Sequence, residues 1–151
     1  MAKPLKSVPT FTTAFWKMIG DEVSDRIQVH TKSGSDVKDK KFKKYSPKYE
    51  DAKAAGKFRR QSSRSKKPDL TLTGDMLRNL QTRSANKEGA IIGWSGTNAQ
   101  KVQWNADMGR EITTTANPVT KKIKVWIEKK VGTRIDRNIK AVDETTTLVI
   151  G

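Results

Sequence analysis

The stretch that decides the fold class is Thr82-Arg83-Ser84-Ala85-Asn86-Lys87-Glu88-Gly89-Ala90-Ile91-Ile92-Gly93-Trp94. Its first half is polar, Lys87-Glu88-Gly89 has turn chemistry, and Ala90–Trp94 is short, apolar and β-branched, so the stretch reads as a β-hairpin. The flanking segments carry helical periodicity. The expectation is therefore an α+β fold in which a small antiparallel sheet packs with about three to four helices.

Upstream, Phe15, Ile19, Val23 and Ile27 recur every fourth position, with Phe11, Trp16 and Met18 beside them. This predicts a helix over Phe11–His30, capped by Thr12 or Thr13 and stopped near Gly34. Leu70 and Leu72 lead into Thr73-Gly74-Asp75, where Thr73 is a candidate cap for a helix bearing Met76, Leu77 and Leu80. Downstream, Thr97 and Gln100 form a capping-box pattern for a helix that Gly109 ends. Asn117-Pro118 reads as the cap and first turn of a long amphipathic helix carrying Ile123, Trp126, Ile127, Val131, Ile135 and Ile139. Residues 143–151 read as a C-terminal tail or edge strand, in which Thr145–Ile150 is β-prone. The expected core includes Leu77, Leu80, Ile92, Trp94, Ile123 and Ile127.

The 151 residues suit a single domain, and 34% hydrophobic against 31% charged residues leaves room for only a modest core. The absence of cysteine excludes disulfides and thiolate chemistry. No run of 18 apolar residues and no leader-like apolar stretch is present, so neither a membrane span nor secretion is expected.

The net charge of +15 is concentrated. Between Lys32 and Lys67, fourteen lysines and arginines face four carboxylates, which supplies +10 of that total. Apolar residues there are few, so 32–67 reads as an extended basic arm between the first helix and the body, with a short helix after Ser46-Pro47 that stops near Gly56. Lys40, Lys41, Lys43, Lys44, Tyr45, Tyr49, Arg59, Arg60 and Arg64 are the candidate interface or DNA-facing residues, because lysines and arginines interleaved with aromatics combine phosphate neutralisation with stacking. The same aromatics also suit pinning the arm to its own core or to a neighbour.

Catalytic machinery is not expected. One histidine, His30, sits in a polar helix tail without partners, and the carboxylates are scattered. No catalytic, cofactor-binding or metal-ligating residue is assigned. Gly93-Trp94-Ser95-Gly96 is similar to the GxxG loop of KH-type RNA-binding domains, which leaves a sequence-independent nucleic-acid-binding module, KH-like in form, as the alternative function. A strand that ends in a glycine turn explains the same residues.

Phe42-Lys43-Lys44-Tyr45-Ser46-Pro47-Lys48-Tyr49, then Lys53, Gly56 and Leu70-Thr71-Leu72-Thr73-Gly74-Asp75-Met76-Leu77-Arg78-Asn79-Leu80, resemble the phage virion-morphogenesis family. Members act in tail completion or at the head-tail neck. The order of the pieces matches over roughly Phe11 to Ile139, and the family tends to place an aromatic or histidine near Trp104. The chain departs at Arg110-Glu111-Ile112, where many members carry a proline-arginine-aromatic segment. The resemblance implies a structural virion protein, made in the host cytoplasm, that forms a homo-oligomeric ring. Its implied partners are copies of itself, neighbouring neck or tail proteins and, non-specifically, packaged DNA.

Overall fold

A computed structural model describes residues 11–113, 117–131, 140–143 and 147–150, and shows the α+β architecture. Helix α1 (Thr13–Lys32) begins where the Thr12 hydroxyl accepts the Phe15 amide at 3.1 Å, and closes through Ser33 into Gly34, whose φ is +91°. Trp16, Ile19, Val23 and Ile27 form its buried stripe. Phe11 lies before the cap, stacked on Phe15 at 4.4 Å.

Strands β1 (Gln81–Ala85) and β2 (Ala90–Gly93) form the expected hairpin. The turn starts one residue earlier than the sequence suggests, because the Asn86 carboxamide oxygen accepts the Glu88 and Gly89 amides. Helix α1 lies across this hairpin, and Gly20 permits the approach: a Cβ there would fall 2.5 Å from Thr82 Oγ1 and 3.1 Å from Ile92 Cγ2.

Strands β3 (Lys140–Asp143) and β4 (Thr147–Ile150) complete a four-stranded antiparallel sheet of order β1-β2-β4-β3. The C-terminal strand is thus interior, paired with β2 on one side and β3 on the other, where an edge strand or tail was expected. A strand reached by a short return finds its partner in whichever neighbour has free backbone groups, and local sequence does not specify that neighbour.

Other boundaries differ as well. Helix α3 (Asp75–Arg78) is a single turn, with left-handed Gly74 at its cap position. The Thr73 hydroxyl still accepts the Asp75 amide at 3.3 Å. Helix α4 (Gly96–Asp107) starts after Ser95, so the Thr97–Gln100 capping box is not used; Gly109, at φ +80°, ends it as expected. Helix α5 (Lys121–Val131) begins later than Asn117-Pro118 predicts, because the Thr120 hydroxyl accepts the Ile123 amide at 3.1 Å. Ile135 and Ile139 lie outside the described residues. Leu77, Leu80, Ile92, Trp94, Ile123 and Ile127 are all buried. The Trp94 indole donates to the Met76 carbonyl at 2.8 Å.

The largest difference concerns 32–67. This segment does not stand away from the body as an extended arm: Val37 and Phe42 are buried, and Lys53 on helix α2 (Pro47–Ala54) is fully enclosed. Helix α2 has the expected Ser46 cap and Gly56 stop. Too few apolar residues for a core of its own are still enough to dock the segment on an existing one.

Candidate polyanion interface

Three devices hold the basic segment in place. The Asp36 carboxylate accepts the Lys38 and Lys40 amides at 2.8 and 2.9 Å, which closes a tight turn with Asp39 at φ +61°. Buried Lys53 donates to Asp69 at 2.5 Å, and Asp69 also accepts from the Ser63 hydroxyl and the Thr71 amide. Arg110, arriving from beyond α4, donates through Nε to the Lys43 carbonyl at 2.8 Å and through Nη2 to the Lys44 carbonyl at 3.0 Å.

Tyr45 sits where these meet. The Arg110 guanidinium lies 4.8 Å from its ring centroid and the Lys53 ammonium 5.1 Å. Its hydroxyl accepts the Leu70 amide at 3.1 Å, and Tyr49 packs edge-on at 4.8 Å, with Phe58 tilted beyond. Burial, with the Asp69 charge adding to it, pushes the Tyr45 phenol up to about 12. Burial raises Tyr49 as well. The two tyrosines thus pack the segment against its own body, one of the roles open from the sequence.

With its backbone fixed, the segment exposes its lysines and arginines other than Lys53. Lys41 and Lys44 line a depression of about 440 Å³ together with Lys66 and Lys67. Glu50 is the one carboxylate in its lining. The Lys67 stem crosses Gly34 so closely that a Cβ there would meet Cε at 2.5 Å. Lys66 makes an exposed ion pair with Asp51 at 3.2 Å, a contact of small worth in water.

The remaining candidates do not line this depression. Lys40 is exposed in the Asp36 turn, and Lys43 runs alongside Gly109, with Cδ 3.7 Å from the position a Cβ would take. Arg64 covers the Gly56 turn. Arg60 is exposed at φ +56° and adds to the field that holds Asp75 below the ordinary carboxylate range, behind the hydrogen bonds from Thr73 and Arg78. Arg59 is exposed, and none of the three arginines lines the depression. Lys66 and Lys67 are the residues that sequence reasoning missed. They stand next to each other before Pro68, a visible charge pair, but only the fold places them in one lining with Lys41.

Four lysines against one glutamate give the lining of this depression a net positive charge, which favours an anion beside it. Lysine supplies point charges without the planar fork that would select a particular geometry, so the arrangement suits sequence-independent phosphate contact. His30 instead bonds the Asp36 carbonyl through Nε2 at 2.7 Å, where it braces the turn. Among the described residues, no group of three or more histidines and carboxylates is placed to hold a metal ion, and no helix is long and apolar enough to cross a membrane. Compared with protein-family models, with curated proteins and with solved structures, the chain gives no match.

Proposed function

We propose that this chain is a structural virion protein of a tailed bacteriophage, working at the head-tail junction or upper tail as a ring-forming subunit without chemistry of its own. The lysine depression formed by Lys41, Lys44, Lys66 and Lys67 is the observation that carries its contact with a polyanion. The assignment to the neck rests on the ordered resemblance of residues 42–49 and 70–80 to the virion-morphogenesis family. In this reading the partners are other copies of the chain, adjoining neck or tail proteins, and DNA passing close to the basic face.

Electron microscopy of particles is the direct test. The chain in a symmetric ring at the portal or tail end supports the proposal, and particles that lack it overturn it. Phosphate contact is tested by duplex-DNA binding across a salt series. Replacing Lys41, Lys44, Lys66 and Lys67 with alanine flattens the log-log slope by roughly 0.9 for each phosphate that is no longer neutralised. An unchanged slope removes the case for that surface.

The same depression favours a second reading, a sequence-independent nucleic-acid-binding module acting alone. Its KH-like form draws no support from the geometry, because Trp94 in the GxxG stretch is buried and bonded to Met76 and a strand precedes it. Light scattering separates the two readings: a chain that stays monomeric with its neck partners while binding RNA tightly at low salt favours the module.

A further inference from the structure

Arg110 also lines an open groove of about 530 Å³. Leu70, Leu72 and Met76 contribute apolar lining from the segment that leads into α3. Tyr45 and Tyr49 line it from the basic segment, and Trp104 and Met108 from the end of α4. Trp104 is 52% exposed and Met108 49%, large apolar side chains left in water beside an apolar trough.

The charge in this groove is one-sided. Lys101 and Arg110 line it and no carboxylate does. Arg110 is only 7% exposed, yet its guanidinium meets two backbone carbonyls, the Met108 sulfur and the Tyr45 ring. Among the described residues no carboxylate pairs with it. A buried guanidinium without a counter-charge is costly, and an incoming carboxylate offsets that cost.

We propose that this groove docks an acidic peptide segment of a partner protein, with bulky apolar side chains seated against Met76, Trp104 and Met108 and carboxylates meeting Arg110 and Lys101. Single-stranded nucleic acid fits less well. The Tyr45 ring is approached by two cations and by the edge of Tyr49, so it offers no platform to a base, while leucine and methionine lining favours an aliphatic or aromatic side chain. The inference stands independently of the neck assignment, because it concerns the chemistry of the occupant and not the assembly in which the chain works.

The test is selection of a random twelve-residue peptide library on the full chain, with counter-selection on Trp104→Ala. Expected are enriched peptides that combine acidic residues with bulky apolar ones, and that bind the wild type at least about tenfold more tightly than either Trp104→Ala or Lys101→Glu. Both substituted side chains are exposed, so both variants keep the fold, which far-ultraviolet circular dichroism checks. Enrichment of basic or purely apolar peptides overturns the proposal, as does equal binding by Trp104→Ala. It is equally overturned if an oligothymidine competes the peptides off stoichiometrically, or if Trp104→Ala abolishes self-association in light scattering. Those last two results assign the groove to nucleic acid or to a second copy of the chain.

Discussion

Substituting Lys53 by methionine tests the clamp on the basic segment most directly. The side chain is fully buried, and its ammonium faces Asp69 at 2.5 Å, whose own side chain is 11% exposed. Removing one partner of a buried pair costs about 3–5 kcal/mol, because the other charge is left in a poor solvent. Here Asp69 keeps the Ser63 hydroxyl at 2.6 Å and the Thr71 amide at 3.0 Å, so the lower end, about 3 kcal/mol, applies. With an m-value of about 2 kcal/mol/M in urea, the unfolding midpoint should fall by roughly 1.5 M. Adding Asp69→Asn to the same chain removes the stranded charge; the carboxamide oxygen still accepts the Thr71 amide, and its NH2 faces the Ser63 hydroxyl, which can turn to accept. The double variant should therefore recover at least about 1 kcal/mol of the loss. The Lys53–Tyr45 contact is missing from both lysine variants, so it drops out of that comparison. A midpoint shift below about 0.3 M for Lys53→Met refutes the reasoning, as does a double variant as unstable as the sum of its singles.

Gly20→Ala sets helix propensity, which favours alanine by about 1 kcal/mol, against overpacking onto Thr82 and the fully buried Ile92, which costs about 1–3 kcal/mol. Overpacking wins, and a thermal melt should show a lower Tm; a higher Tm contradicts the close approach. Arg110→Lys keeps the charge but cannot span the Lys43 and Lys44 carbonyls together, so hydrogen exchange at the Phe42 and Leu70 amides, bonded to the Gly34 carbonyl and the Tyr45 hydroxyl, should accelerate while α1 stays protected. Uniform protection in that variant counts against the clamp. The raised Tyr45 phenol favours the folded state while it is protonated. Its stabilising contribution is complete below pH 10 and is lost as pH rises towards 12. Phenolate absorbance should therefore titrate above the ordinary tyrosine range in the native protein and return to that range in concentrated urea. Two ordinary titrations in the native protein contradict the packing of Tyr45 and Tyr49.

Much of the local structure was legible in the sequence. The four-residue recurrence from Phe15 to Ile27, the Ser46-Pro47 start of α2, the glycine stops at 34, 56 and 109 and the hairpin around Asn86–Gly89 each depend on neighbouring residues, and neighbours are what a linear reading sees. Helix starts were less legible. Thr97 with Gln100 and Asn117 with Pro118 have good cap chemistry, yet Ser95 and Thr120 took those places, because adjacent candidates differ locally by less than tertiary packing decides.

The candidate site divides along the same line. That residues 32–67 are cationic, that the chain carries +15 and that aromatics stand among its lysines belong to the sequence alone, since charge and composition do not depend on folding. Which cations act together does not. Lys53 reads like any other lysine of the run, but the fold encloses it against Asp69. Lys66 and Lys67 line one depression with Lys41 and Lys44 only because the segment folds back, and Arg110 reaches the Lys43 and Lys44 carbonyls from more than sixty residues away. The interior place of β4 is likewise set by backbone groups left free on β2. Period, charge and turn chemistry are properties of a few adjacent residues, whereas burial and counter-charge depend on contacts between distant ones, and only the tertiary structure makes those.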